Sequence, residues 1–68
     1  MNLQLDATAV RRLRIGRALT QPDLARIAGL NKKTINRAEN GGILRLSNVR
    51  KIAKALKVAP SDIASVVE

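Results

Sequence analysis

The chain has 68 residues, which is the size of one small domain. It contains no cysteine, histidine or aromatic residue, and this composition excludes disulfides and metal sites built on thiolate or imidazole ligands. Lysine and arginine number 13 against 5 aspartate and glutamate residues, so the net charge is +8. Such an excess of positive charge is typical of a protein that binds a polyanion, with a merely solvated basic surface as the alternative.

Two helices are expected in the first half of the chain. Asp6 is placed to cap a first helix over about 7–17. Thr20 is placed to cap a second helix over 21–28, with Pro22 in its first turn, where a missing N–H costs little.

A third helix is expected over 32–39, after a turn that contains Gly29. Asn31 can cap this helix, and Asn40-Gly41 stops it. One side of the helix carries apolar residues. The other side is basic and rich in amides, and its members are Lys32, Lys33, Asn36 and Arg37.

The last third of the chain predicts two more helices. Ser47 is the expected cap of a fourth helix over 47–57, whose apolar residues follow the helical period. Pro60 is expected to open a short fifth helix over 60–67. Asn2 to Leu5 is the one segment for which an extended conformation is considered. The prediction is therefore an all-α, compact five-helix domain that spans residues 1–68.

The second and third helices, joined by a turn of about four residues, form a helix-turn-helix. The basic face of the third helix fits a major groove, which is about 12 Å wide. There lysine and arginine can donate to guanine, and asparagine can pair with adenine. This arrangement predicts binding to double-stranded DNA.

Residues 19–41, LTQPDLARIAGLNKKTINRAENG, resemble the signature L-T-Q-x-x-L-A-x-x-A-G-x-x-x-x-T-I-x-x-x-E-N-G of the lambda-repressor-like (Xre/Cro-type) helix-turn-helix family. Residues 49–58 resemble the K-I-A-K-A-L-x-V segment of the same family. The resemblance covers roughly residues 6–67. It implies a transcriptional regulator, most often a repressor, that binds palindromic half-sites as a homodimer.

The resemblance also implies roles for individual residues. The base-reading positions are Lys32, Lys33, Asn36 and Arg37. Contacts to the sugar-phosphate backbone are implied for Gln21, Asn31, Asn40 and Arg45. For the lysines the alternative is a phosphate contact or plain solvation, and for Gln21 it is helix capping alone.

Other family positions imply structural contacts. Glu39 and Arg14 match a pair in which a glutamate at the end of the recognition helix meets an arginine of the first helix. Ala18 departs from the family, because glycine usually ends the first helix there, while Gly16 lies inside that helix. Dimer or partner contacts are implied for the loop before the fourth helix and the region that leads into the fifth, namely Leu44, Leu46, Pro60 and Ile63.

Other functions are less well supported by the residues. Without histidine or cysteine, and with the acids dispersed, neither an enzyme nor a cofactor or metal site is expected. The basic residues are spread over several helices without aromatic anchors, and this pattern disfavours a membrane-surface role. With no leader or membrane span recognisable, we expect a cytoplasmic protein of a bacterium or phage, on the nucleoid when bound to DNA.

The main rival function is that of an antitoxin or another protein-interaction module, whose partner is a toxin or another protein. A toxin-like reading frame beside the gene would favour this alternative, and a divergent promoter with palindromic repeats would favour a repressor. The apolar side chains of this chain that such a partner would contact are Ile15, Ile27, Ile63, Val66 and Val67.

Overall fold

Four α-helices and a three-stranded antiparallel sheet make up the fold of residues 1–67, the part of the chain that the computed structural model describes. A single turn of 3-10 helix, Pro60–Asp62, precedes the last strand. The elements follow in the order β1 (Asn2–Leu5), α1 (Ala7–Gly16), α2 (Gln21–Ala28), α3 (Lys32–Glu39), β2 (Ile43–Arg45), α4 (Leu46–Leu56) and β3 (Ala64–Val66).

The prediction of an all-α, five-helix domain is therefore wrong. The segment 60–67, expected to be a fifth helix, holds the 3-10 turn and β3 instead. Its β-branched residues favour an extended backbone, and β1 offers a free edge with which this backbone can pair. The apolar spacing that suggested a helix therefore belongs to a strand whose partner lies at the other end of the chain.

The strand β1 is central in the sheet, whose order is β2-β1-β3. Its residues alternate between exposed and buried, with Leu3 and Leu5 facing the core. Leu3 pairs with Leu44 on one side and with Val66 on the other. The sheet thus ties the start of the chain to two segments that are distant in sequence.

The core consists of aliphatic side chains from all four helices and the sheet. The helices α2 and α4 pack on each other, and α3 packs on α1, α2 and β2. In this way α3 is held on one side only and its other side is left to solvent. The most deeply buried large side chains are Val10, Leu24, Ile35, Val49, Ile52, Leu56 and Ile63.

Side chains cap the helices that build the helix-turn-helix. Thr20 Oγ1 accepts a hydrogen bond from Asp23 N (3.1 Å), and Asp23 Oδ2 accepts one from Thr20 N (2.9 Å). These bonds from Thr20 hold the pKa of Asp23 below its ordinary value. Gly29, with φ of 72°, provides the left-handed residue that ends α2.

The fourth helix begins one residue earlier than expected. Its N-cap is Arg45, and Ser47, the expected cap, lies inside the first turn. No side-chain cap bond supports this end, and the N–H of Leu46 instead donates to the carbonyl of Met1 (3.0 Å). The carbonyl of Met1, the residue before β1, therefore satisfies an N–H at this end of the helix, where the sequence predicted a serine cap.

Ala18 adopts the left-handed conformation, with φ of 56°, and Gly16 is the last residue of α1, with open space around the position of a Cβ. Gly16→Ala should therefore raise the free energy of unfolding by up to about 1 kcal/mol. Ala18→Gly removes strain of about 1–2 kcal/mol but adds about 0.4–1 kcal/mol of freedom to the unfolded chain, so stability should stay the same or rise. Thermal melts followed by circular dichroism measure both changes. A clear loss of stability in Ala18→Gly would show that the left-handed conformation of Ala18 is not strained.

Candidate nucleic-acid interface

The third helix presents one polar face to solvent. Asn31 caps it, with Oδ1 accepting from the N–H of Thr34 (3.0 Å). Ile35 and Ala38 are fully buried on the inner side and fix the rotation of the helix about its axis. The outer side carries the four side chains expected to read bases, and all are exposed: Lys32, Lys33, Asn36 and Arg37.

Three of these side chains share a shallow groove with the start of α2. The groove has a volume of about 280 Å³ and is lined by Gln21, Lys32, Lys33 and Asn36. Gln21 is the first residue of α2, so it stands where the helix N-terminus favours a negative charge. The groove offers ammonium donors together with amide donors and acceptors, which can bind phosphate oxygens or the edges of bases.

Arg37 lies apart from the lysines, in a second and mainly polar cleft shared with Arg45. A Cβ on Gly42 would lie 2.5 Å from the Cγ of Arg37, so the glycine lets the loop between α3 and β2 approach the arginine stem. Two guanidinium groups in one cleft can bind an anion between them. The other residues that line the cleft are Asn2, Ile43, Leu44 and Asn48.

Asn2, Gly42 and Asn48 also belong to this site, although the sequence pattern does not predict them. For Gly42 the sequence does hold an indication. Asn40-Gly41 is enough to end a helix, so a second glycine indicates a further reason for a missing side chain. Asn2 and Asn48 come from β1 and α4, and no local pattern links those elements to α3. Only the closed sheet brings them beside Arg37.

The structure brings Arg14 and Glu39 together as a bidentate ion pair. Arg14 Nε lies 2.6 Å from Glu39 Oε2, and Arg14 Nη2 lies 3.0 Å from Glu39 Oε1. Arg14 Nη1 also donates to the carbonyl of Leu19 (2.8 Å). The hydrogen bond to Glu39 raises the pKa of Arg14 above its ordinary value. The pair joins α1 to the end of α3 and so fixes the reading helix on the scaffold.

A second arginine reinforces this junction. Arg11 Nη2 donates to the main-chain carbonyl of Glu39 (3.0 Å), and its Nε lies 3.8 Å from Glu39 Oε1. Arg11 is half exposed in its side chain, so water screens its contribution. Its main role here is to supply a donor to a carbonyl at the end of α3.

The residues expected to hold phosphates lie around the rim of α3. Asn31 uses its Oδ1 in the helix cap. Asn40 is the C-cap of α3 and is exposed. Arg45 is exposed at the start of α4. With Gln21, these residues lie at the two ends of α3 and at the starts of α2 and α4.

The residues expected to contact a partner divide into two groups. Leu44 and Ile63 are buried in the core, so their side chains offer no surface to a second chain. Leu46 and Pro60 are partly exposed and line an apolar groove beside β3. Among the expected apolar anchors, Ile63 is buried, and the exposed ones are Ile15, Ile27, Val66 and Val67.

Two other kinds of feature are absent from residues 1–67. Within that range no three histidine, cysteine, aspartate or glutamate side chains are grouped to hold a metal ion. No helix in the same range is long and apolar enough to cross a membrane.

A helix-turn-helix family model matches residues 10–63, which include all four side chains of the groove and the Arg14–Glu39 pair. The chain belongs to the helix-turn-helix family. The resemblance to its lambda-repressor-like (Xre/Cro-type) members is thereby confirmed. As a member of this family, the chain is a DNA-binding regulator of transcription. Comparison with curated proteins finds no match.

Solved structures support the same assignment. The restriction-modification controller protein C.AhdI from Aeromonas hydrophila is 32% identical, with a TM-score of 0.76, and the match covers 82% of this chain and 86% of that one. A hypothetical transcription factor, NHTF from Neisseria, is 33% identical, with a TM-score of 0.75. That match covers 82% of this helix-turn-helix chain and 66% of the other.

The fold also occurs inside an enzyme. A mutant of hydroxyethylphosphonate dioxygenase matches 96% of this chain with a TM-score of 0.80 and 23% identity. This helix-turn-helix chain spans only 14% of the length of that enzyme. At this identity the likeness concerns the fold alone, because one fold can serve unrelated functions.

Proposed function

We propose that this helix-turn-helix chain is a sequence-specific repressor that places α3 in the major groove and binds palindromic half-sites as a dimer. The observation that carries the proposal is the exposed groove lined by Gln21, Lys32, Lys33 and Asn36. In helix-turn-helix proteins, residues near the start of the recognition helix contact base edges while the preceding helix crosses the backbone. The identities to a controller protein and to a transcription factor support the regulatory part.

The proposed roles divide the interface into reading and holding residues. Lys32, Lys33, Asn36 and Arg37 read base edges. Gln21, Asn31, Asn40 and Arg45 hold phosphates on either side of them. The net charge of +8 supplies the general attraction to DNA on which both groups depend.

A dimer is part of the proposal because one short recognition helix contacts about 4–6 base pairs. A site of that length recurs too often to be unique in a genome. Two copies on half-sites about 34 Å apart double the number of bases that are read. A two-fold symmetric pair of chains matches a palindromic operator.

Selection of bound sequences from random duplex DNA tests the proposal, and two arginine variants test the division of roles. Arg37→Ala should weaken binding to the selected duplex by about 1–3 kcal/mol and change binding to random DNA little. Arg45→Ala should weaken both about equally, because a phosphate contact carries no sequence information. If both variants lost affinity for both duplexes alike, Arg37 would be a phosphate ligand in the cleft that it shares with Arg45.

A protein partner is the second candidate function, and the exposure of two isoleucines favours it. Ile15 is 60% exposed and Ile27 is 53% exposed, and neither lies in the groove or in the cleft with Arg45. Ile27 adjoins three lysines, Lys51, Lys54 and Lys57, in a groove between α2 and α4. A selection that enriched no sequence would favour this candidate over the repressor.

A further inference from the structure

We propose that Gly42 is a specificity-determining residue of the DNA interface, because its missing side chain leaves room for the stem of Arg37 (its Cγ and Cδ) and so fixes the direction of the guanidinium. The inference deepens the proposed function, on which it rests for the assignment of Arg37 to a base edge. Gly42 lies in the loop between α3 and β2, outside the reading helix. The base preference at one position of the half-site therefore depends on a residue that has no side chain of its own to contact DNA.

The first observation is the closeness of Gly42 to the stem of Arg37. A Cβ at residue 42 would lie 2.5 Å from the Cγ of Arg37 and 3.3 Å from its Cδ. Carbon atoms in contact are normally about 3.5–4.0 Å apart, so a side chain at residue 42 would displace the arginine. The N–H of Gly42 also donates to the carbonyl of Arg37 (2.9 Å). The stem thus lies directly on a stretch of backbone that is itself bonded to the end of α3.

The second observation is that the backbone of Gly42 does not call for glycine. Gly29 and Gly41 have φ of 72° and 76°, in the left-handed region that favours glycine, but Gly42 lies outside that region. The three atoms nearest to a Cβ at residue 42 all belong to Arg37. It is therefore the position of Arg37, and not the turn, that requires the missing side chain.

The third observation is that no carboxylate holds the charged end of Arg37. Within residues 1–67 its guanidinium forms no ion pair, whereas that of Arg14 is bound by Glu39. The cleft that it enters contains one other charged residue, Arg45, which repels it. Packing of the stem on the loop, and not a charged partner, therefore sets where the guanidinium of Arg37 points. Its donors stay available to DNA.

A stem held in this way makes an arginine more selective. Arginine is long and has many rotamers, so an unrestrained one can bond to phosphates or to more than one base. A bidentate bond to guanine O6 and N7 needs the planar guanidinium in one orientation. Contact with Gly42 removes rotamers before DNA is bound, which lowers the entropy lost on binding in that orientation. The gain goes to one base pair and not to DNA in general.

A purely structural role of Gly42 predicts a different result. A Cβ at residue 42 would also lie 3.0 Å from the main-chain oxygen of Arg37, so alanine could shift the loop against α3. Such a shift would weaken binding to every duplex, and it would do so with or without the side chain of Arg37. The proposal instead predicts a loss that is confined to one base pair and that needs Arg37 to be present.

Proton NMR tests the contact without any substitution at residue 42. The parent chain should show NOEs between the α protons of Gly42 and the γ and δ protons of Arg37, both free and bound to a selected duplex. Gly16→Ala makes a glycine-to-alanine change where nothing lies within 4 Å of the added carbon, and it should keep these NOEs. Their absence from the free parent chain, or their loss on binding, would overturn the proposal.

Selection from random duplex DNA, repeated with variants, tests the effect on specificity. Arg37→Ala identifies the base pair that Arg37 reads. At that base pair Gly42→Ala should lower the preference for the best base by about tenfold, within the discrimination of one bidentate contact, and preferences elsewhere should stay. Gly16→Ala should select as the parent does. In the Arg37→Ala background Gly42→Ala should have no further effect, so the two losses are not additive.

The outcomes separate this inference from the proposed function. Circular dichroism checks that each variant is folded, and the NMR test on the parent remains decisive if Gly42→Ala is not. If the parent selected no sequence, the repressor proposal would fail, while the NOEs would still show the contact. If selection depended on Arg37 but Gly42→Ala kept the parent's preferences, the repressor proposal would stand and this inference would fail. An equal loss at every base pair would also overturn it, in favour of the structural role.

Discussion

Glu39→Ala should lower the free energy of unfolding by about 3–5 kcal/mol, because it leaves the guanidinium of Arg14 without its partner inside the domain. Glu39 is 3% exposed and the side chain of Arg14 is 14% exposed, so little water can replace the lost carboxylate. Domains of this size have a total stability near the low end of about 5–15 kcal/mol. We therefore expect the variant to be largely unfolded at temperatures where the parent chain is native.

Denaturant unfolding of the parent and variant measures this effect, and a second ion pair in the chain supplies the control. Arg26 Nη2 lies 3.2 Å from Asp23 Oδ1 on the surface of α2. Arg26→Ala should cost less than about 1 kcal/mol, because water screens an exposed pair. In a double-mutant cycle, Arg14→Ala and Glu39→Ala should be strongly non-additive. Additive losses would show that the two side chains do not stabilise each other.

The affinity for DNA should fall about a thousandfold when the salt concentration rises fourfold. If Arg45 and other exposed lysine and arginine side chains neutralise five or six phosphates per chain, a plot of log affinity against log salt has a slope of about −5, at about 0.9 per phosphate. The side chains that would make these contacts are all at least partly exposed, so their counterions and those of the DNA are free to exchange. Fluorescence anisotropy with a half-site duplex across a salt series measures the slope per chain.

Two variants sharpen this measurement. Arg45→Gln removes one cation that is proposed to hold a phosphate, in the cleft shared with Arg37, and should make the slope shallower by about 0.9. Lys54→Gln removes the same charge from α4, in the groove between that helix and α2, and should leave the slope nearly unchanged. A flat salt response of the parent chain would contradict the proposal that it binds nucleic acid.

The helix-turn-helix could be predicted from the sequence because its signals are local. The cap at Thr20, the left-handed Gly29 and the cap at Asn31 each act within about one turn of helix. Each of these residues therefore determines the conformation of its own neighbours in the sequence, and no distant part of the chain is needed. The side chains on the exposed face of α3 follow directly, since the burial of Ile35 fixes the rotation of the helix.

The sheet could not be predicted in this way. Residues 60–67 carry apolar side chains at a spacing that fits a helix, and a strand of this length gives no stronger local signal. What decides their conformation is β1, which pairs Leu3 with Val66 across nearly the whole chain. In so short a segment the local pattern allows both conformations, and the pairing with β1 decides between them.

The candidate site also has one part that local sequence predicts and one part that depends on tertiary contacts. The groove with Lys32, Lys33 and Asn36 comes from one helix and the start of its neighbour, and the helical period brings those side chains together. The position of Arg37 beside Arg45 depends on the loop at Gly42, between α3 and β2, and on the sheet. The sequence therefore assigned Arg37 to the right helix, but could not show that it lies in a different cleft from the lysines.

The position of β1 at the centre of the sheet has a consequence for synthesis on the ribosome. The strand emerges before its partners, because Leu44 and Val66 are added much later, at about 5–20 residues per second. Helical turns form within microseconds, but isolated helices of 8 to 11 residues are only marginally stable. Leu3 and Leu5 belong to the core that packs these helices, so the helix-turn-helix becomes fully stable only when the sheet closes. Closure of the sheet is then the final step. The sheet, the core and the helix-turn-helix thus become stable together, in one cooperative step.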